Sequence, residues 1–175
     1  MAKLGIDVHY CESGSNATGP TIATAAGVIF ENWEDEKPLN QLTSTCPVPS
    51  EYISGQFYKR ELPCILQLLK QLNNQPDTII VDGYVHLADG SIGLGGHLYQ
   101  SLSNSIPVIG VAKNPMKDHQ LAKQIMRGSS SRPLYVTAAG IDLNTAAQHI
   151  SDMHGQHRHP TLLKLVDHLC RGIDS

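Results

Sequence analysis

The sequence predicts an α/β fold, a mixed β-sheet flanked by helices, from three observations. Short β-branched runs crowd the N-terminal part of the chain. A long amphipathic pattern follows them, and beyond it the signatures of buried strands alternate with those of helices. A chain of 175 residues can bury roughly two thirds of its unfolded surface without disulfide or metal staples, so residues 1–175 are expected to form a single domain.

Taken in order, residues 3–10 are β-prone, and residues 21–30 form a second apolar, β-branched run after the turn-rich segment 13–20, which predicts two paired strands. Residues 39–46 alternate apolar with polar side chains and predict a third strand or edge strand. Pro47-Val48-Pro49-Ser50 opens a loop. From Arg60 or Glu61 the spacing of Leu62, Ile65, Leu66, Leu68, Leu69 and Leu72 predicts a helix, stopped by Asn73-Asn74-Gln75-Pro76. Thr78-Ile79-Ile80-Val81-Asp82-Gly83 reads as a buried strand that delivers an acid at its C-terminal end. Residues 93–103 predict a helix with a glycine-rich start, residues 106–112 and 133–137 two further strands, and residues 145–153 and 161–171 the closing helices.

Hydrophobic residues make up 41% of the chain, but no apolar run approaches the roughly 20 residues needed to span a bilayer. The opening Met-Ala-Lys-Leu-Gly lacks a signal-peptide layout, so a soluble cytoplasmic protein with no membrane partner is expected. Cys11, Cys46, Cys64 and Cys170 lie far apart with no CxxC pair, which argues against a zinc ribbon or redox motif and predicts buried free thiols. The formal charge of −3 hides an asymmetry: residues 1–50 carry two bases and six acids, residues 113–175 eight and five. Lys113, Lys117, Lys123, Arg127 and Arg132 face Asp118 alone, a cluster that on charge alone reads first as a solvated helix face and loop and is also suited to tracking phosphates.

Asp7 interrupts the apolar strand Ile6-Asp7-Val8, Asp82 ends another, and Glu61 stands at the expected start of the helix between them. A carboxylate in or at the tip of a buried strand is costly unless it is paired or bound to a metal. Converging at one sheet edge, the three supply hard oxygen ligands for Mg²⁺ or Mn²⁺, a set suited to phosphoryl transfer. Singly, each also suits a salt bridge, and Glu61 a helix-capping role. Lys113 ends its strand as Asp82 ends its own. On neighbouring strands the ammonium would stand by the carboxylates, either to hold water or phosphate charge or to pair with Asp82.

These residues carry a resemblance. Asp7-Val8-His9-Tyr10, Tyr52-Ile53-Ser54-Gly55, Phe57-Tyr58-Lys59-Arg60-Glu61-Leu62-Pro63, Asp82-Gly83, Gly93-Leu94-Gly95-Gly96-His97-Leu98 and Ile106-Pro107-Val108-Ile109-Gly110-Val111-Ala112-Lys113 recur in the order and spacing of endonuclease V, the deaminated-base repair nuclease. The likeness extends to Tyr135-Val136-Thr137 and the last helices. It implies an RNase H-like fold and Mg²⁺-dependent cleavage, with Mn²⁺ as a substitute, of a DNA or RNA strand 3′ to a deaminated base such as hypoxanthine. Carried over by motif, Asp7, Glu61 and Asp82 would hold the metal and Lys113 would contact phosphate or water. Tyr52 would wedge into the gap left by the flipped base, with Ile53 beside it, and Gly55, Gly83 and Gly93 would lie where the backbone nears that base. Lys59 and Arg60 join the nucleic-acid contacts, and a monomer is expected.

The departures from the family pattern fall in loops. After Asp-Gly the family reads His-Gly-Ile-Ala-His-Pro-Arg-Arg, where this chain has Tyr84-Val85-His86-Leu87-Ala88-Asp89-Gly90-Ser91. A second histidine becomes Ala88, two arginines become Gly90 and Ser91, and a later histidine becomes Gly140 in Thr137-Ala138-Ala139-Gly140. The wedge proline is Ser54. These losses predict a weaker grip on the strand more than a lost metal site. They leave open an alternative, a catalytically weakened or inactive nucleic-acid-binding homologue of the same fold. His86 is a candidate substitute for the missing imidazole. His154, His157 and His159 are expected to lie in a solvated turn, and His97 to be structural.

Overall fold

The computed structural model describes residues 1–11, 21–48 and 57–172. Its centre is a seven-stranded mixed sheet. Strands β1 (Lys3–Cys11), β2 (Thr21–Phe30) and β3 (Asn40–Val48) run antiparallel as a meander. On the other side of β1, strands β4 (Thr78–Asp82) and β5 (Val108–Ala112) add in parallel. Strands β6 (Lys123–Ile125) and β7 (Leu134–Ala139) return antiparallel, giving the order β3-β2-β1-β4-β5-β7-β6. The parallel centre explains the sequence pattern, because β4 and β5 are covered on both faces and therefore read as continuous apolar runs rather than alternating ones.

Two apolar layers sandwich the sheet. Leu4, Ile6, Ile79, Val81 and Val108 face helices α1 (Phe57–Leu69) and α2 (Leu94–Ser101) through Cys64, Ile65, Leu68 and Leu98. The alternate residues Val28, Phe30, Ile80, Ile109, Val111 and Val136 face α3 (Leu143–Asp152) and α4 (Thr161–Cys170) through Ala146, Ile150, Leu162 and Val166. Asp142 caps α3, its carboxylate accepting the Thr145 backbone N–H at 3.0 Å.

The predicted elements all form, with shifted ends. The largest shift is at α1, which starts at Phe57, so Glu61 sits a full turn inside the helix and not at its capping position. Strand β6 was not expected. Its three residues carry only one buried side chain, Ile125, too little to stand out as a periodic pattern. Among the described residues no helix is long and apolar enough to cross a membrane. Of the cysteines expected to be buried free thiols, Cys64 and Cys170 are buried and Cys46 half-buried, all unpaired.

Candidate active site

Sheet register brings the first two acids together. Ile6 pairs with Val81 on the parallel neighbour strand, so the next residues, Asp7 and Asp82, come out side by side where β4 ends. Asp82 pairs across to Val111 on β5, which sets Lys113 just beyond. Burial is the main force on Asp7, and the neighbouring Asp82 charge adds to it, so the Asp7 carboxyl is pushed up to about 8. Glu61, from α1 on the opposite face, is pushed up to about 7 by burial and then by the same Asp82 charge, with the Tyr10 hydroxyl and Arg60 pulling the other way. Asp82 is also raised by the protein crowded round it, while Lys113 opposes the rise. Its side chain is open to solvent at the strand tip, where water tempers these effects.

A fourth carboxylate joins from α4. Asp167 accepts a hydrogen bond from Arg171 Nε at 2.9 Å. Burial works to raise it, but that guanidinium prevails and holds its carboxyl below the ordinary range. Carboxylate oxygens of Asp7 and Asp167 and the sulfur of Cys170 all lie within 4.8 Å of one another. Three of these acids, Asp7, Glu61 and Asp82, are raised in part by a neighbouring carboxylate, and with Lys113, Arg171 and Arg60 as the cations against the four acids the set is short of positive charge. A divalent cation fits that shortage.

Two spaces open beside Asp82. On the α4 face a cavity of about 20 Å³ is walled by Asp7, Asp82 and His159 among apolar side chains, room for about one water. On the α1–α2 face lies a cleft of about 260 Å³ lined by Tyr58, Glu61, Asp82, Gly83, Tyr84 and Gly93. Its floor needs glycine twice. Gly83 adopts φ +111°, and a side-chain carbon on Gly93 would come within 2.3 Å of the Tyr84 carbonyl oxygen. The loop leaving β4 is anchored by two hydrogen bonds: Gly83 N–H donates to the Val111 carbonyl at 2.9 Å, and Val85 N–H to the buried Thr137 hydroxyl at 2.8 Å. The Tyr84 hydroxyl donates to the Asn114 carbonyl at 2.6 Å, next to Lys113.

Several expected residues take other places. Tyr52, Ile53, Ser54 and Gly55 lie outside the described residues. Lys59 is exposed, whereas the Arg60 guanidinium packs 4.6 Å from the centre of the Tyr10 ring. His86 does not replace the missing imidazole in the cleft; its ring borders a separate hollow with Tyr99 and Gly140, and its carbonyl bonds the His119 ring at 2.5 Å. His97 stacks on Tyr58 with ring centres 3.6 Å apart. The C-terminal basic cluster is split, since Arg127 is only 6% exposed and donates to the carbonyls of Met153, Gly155, His157 and Arg158. Arg158 in turn donates to the carbonyls of Lys113 and Pro133.

In the histidine turn, His154 and His157 are exposed as expected, but that pair of arginines overturns the solvated reading for His159. They pin the turn against β5, and His159 enters the carboxylate cavity, where burial and then the Lys113 charge push its imidazole down to about 4. Asp167 was missed as well. Its signal in sequence is one acid on the apolar stripe of Leu162, Leu163, Val166 and Cys170, which a surface helix alone would not require.

With this geometry in hand, comparison with known proteins is decisive. The sequence profile of the Endonuclease V family matches residues 3–135. The chain belongs to that family. Endonuclease V of Nocardia farcinica is 27% identical over 186 residues, covering 95% of this chain and 78% of its own. Endonuclease V of Xylella fastidiosa is 32% identical over 109 residues, covering 62% of this chain and 42% of its own. The fold matches the Bacillus subtilis Endonuclease V crystal structure (TM-score 0.77, 21% identity, 98% of this chain and 79% of that one). It also matches that of Ciona intestinalis Endonuclease V in complex with a 24mer DNA containing an inosine followed by a ribo-adenosine (TM-score 0.79, 22% identity, 98% and 84%). The RNase H-like sheet is thus shared with these nucleases. Asp167, His159 and Cys170 all lie beyond the stretch matched by the family profile.

Proposed function

We propose that this chain is a metal-dependent endonuclease that cleaves a DNA or RNA strand 3′ to a deaminated base, hypoxanthine first, with Mg²⁺ as its metal and Mn²⁺ as a substitute. The observation that carries this reading is the place of Asp82, one carboxylate that borders both the acid cavity and the cleft of about 260 Å³. A cleft of that size admits a purine base, so a strand whose base entered it would lay its backbone against the acids. Asp7, Glu61 and Asp82 would hold the metal, with Asp167 completing the set. When bound, the metal activates water and offsets charge on the scissile phosphate.

The protein's own groups do the rest. Lys113, beside Asp82, holds a phosphate oxygen or the attacking water. Gly83 and Gly93 keep the cleft floor bare so that a flat base can approach the backbone. Tyr52, Ile53 and Gly55 serve as the wedge for the opened stack, and Lys59 and Arg60 as contacts to the strand. We read residues 1–175 as one endonuclease V-like domain that acts as a monomer in the cytoplasm. The inosine-bearing DNA held by the Ciona intestinalis relative supports the choice of probe.

The test is cleavage of inosine-containing and matched control DNA and RNA strands with Mg²⁺ or Mn²⁺. The expected result is a cut 3′ to inosine, lost in Asp82→Ala and absent with EDTA. No metal-dependent cut in any strand, or equal cutting by wild type and Asp82→Ala, would overturn the reading.

A further inference from the structure

The acid cluster contains a donor that oxygen chemistry does not need. Cys170 lies three residues after Asp167 on α4, so both side chains project from the same face toward β1. It is 3% exposed, and its sulfur lies within 4.8 Å of carboxylate oxygens of both Asp7 and Asp167. The S–H donates to the Asp167 backbone carbonyl at 3.1 Å. A thiol that only filled core space would face apolar side chains; this one adjoins two carboxylates, and Asp7 also walls the cavity of about 20 Å³. That cavity is walled by Asp7, Asp82 and His159, and the cluster of Asp7, Asp167 and Cys170 adjoins it through Asp7. Asp7 is thus the carboxylate that shares the cavity with His159 and has the Cys170 sulfur beside it.

We propose that Asp7, Asp167 and Cys170 form a binding site for a thiophilic divalent cation of the zinc class. Thiolate sulfur favours Zn²⁺ and Cd²⁺ strongly over Mg²⁺, whereas a set of carboxylates alone favours Mg²⁺, Ca²⁺ or Mn²⁺. Bond lengths of about 2.3 Å to sulfur and 2.1 Å to oxygen put tetrahedral donors roughly 3.5 Å apart, so side-chain movements of about 1 Å close the set. On binding, a metal–sulfur bond forms and the thiol proton leaves to solvent, with no change of oxidation state. Asp7 and Asp167 belong both to this site and to the all-oxygen set, so the two classes of ion exclude one another. That exclusion bears on cleavage only if the nuclease reading holds; the binding itself does not depend on it.

The probe is Cd²⁺ added to metal-free protein, followed by the ultraviolet sulfur-to-cadmium charge-transfer band and by calorimetry. Wild type is expected to bind one equivalent with a sulfur band, and Cys46→Ser to do the same. Cys170→Ser and Cys170→Ala should lose the band, and affinity should fall by at least about tenfold. Asp167→Asn, which leaves the thiol in place, should also weaken Cd²⁺ binding by at least about tenfold, with an unchanged circular dichroism spectrum. A wild type without the band, a band that survives in Cys170→Ala, or wild-type affinity in Asp167→Asn would each overturn the proposal. Because this readout is binding, a protein inactive on every strand can still pass or fail it.

Discussion

The two faces of the sheet meet at Asp82 with different chemistry. On the α1–α2 face, Glu61 and two bare glycines border an open cleft with aromatic walls, Tyr58 and Tyr84. On the α3–α4 face, Asp7, Asp82 and His159 wall a space for about one water, and Asp167 and Cys170 cluster beside Asp7. The first face is shaped to admit a flat group and the second to concentrate charge. They also differ in origin. The cleft is built within the stretch matched by the family profile, whereas much of the charged face comes from the C-terminal helices beyond it. In the proposed reading, a site that joins base reading and cutting at one strand tip could keep its chemistry while the loop carrying Ala88, Gly90 and Ser91 drifts.

The largest effect should come from removing the residue both faces share. Asp82→Asn is expected to lower single-turnover cleavage by about 10³-fold or more if Asp82 is, as proposed, a metal ligand beside the scissile phosphate. The same variant should melt no lower than wild type in EDTA, since it relieves repulsion on Asp7 and Glu61. An activity within tenfold of wild type would break the proposed role of Asp82 as a shared metal ligand.

Next come changes confined to one face. Arg127→Leu leaves four backbone carbonyls of the 153–158 turn without their donor, and chemical denaturation should show a loss of about 2–4 kcal/mol. Gly93→Ala acts on the other face, where the added carbon meets the Tyr84 carbonyl oxygen. It should weaken binding of an inosine strand by about 10–100-fold while leaving metal binding within about twofold, a split measured by fluorescence anisotropy and calorimetry. Equal loss of both would mean that the cleft and the charged cluster are not separable.

The smallest effect is on pH dependence. In EDTA the folded state keeps protons on Asp7 up to about 8 and on Glu61 up to about 7, whereas the unfolded chain releases them near the ordinary carboxyl values. Stability gained from these groups is therefore lost as pH rises through that range. His159 works oppositely below its ordinary value of 6.5, because the unfolded state takes up its proton first. The clear window is thus pH 6.5 to 8, where the melting temperature of metal-free protein should fall with rising pH. Saturating Mn²⁺ should flatten that fall, since the ion replaces the protons. Thermal melts across that window decide it.

The strand and helix order was legible because burial on one or two faces leaves a period in the sequence, and β4 announced Asp82 by ending an apolar run in an acid. Asp7 and Lys113 could be grouped with Asp82 because parallel neighbours carry their C-terminal ends to one edge, whereas Glu61, on α1, was tied to them by the family pattern. What escaped was set by tertiary packing. Nothing local marks Arg127 as a buried clamp, since its acceptors lie 26 to 31 residues away. His159 looked like part of a polar turn because the contact that turns it inward is made by Arg158 to β5 and its neighbour strand. Asp167 is one acid among ordinary helix residues until β1 is laid against α4.

The most direct test of a metal centre shared by both faces is anomalous diffraction from crystals soaked in Mn²⁺. The predicted result is a peak within coordinating distance of Asp7 and Asp82 together, with further donors from Glu61 or Asp167. Well-ordered acids with no peak at Asp82 under saturating Mn²⁺, or a peak elsewhere on the molecule, would contradict it.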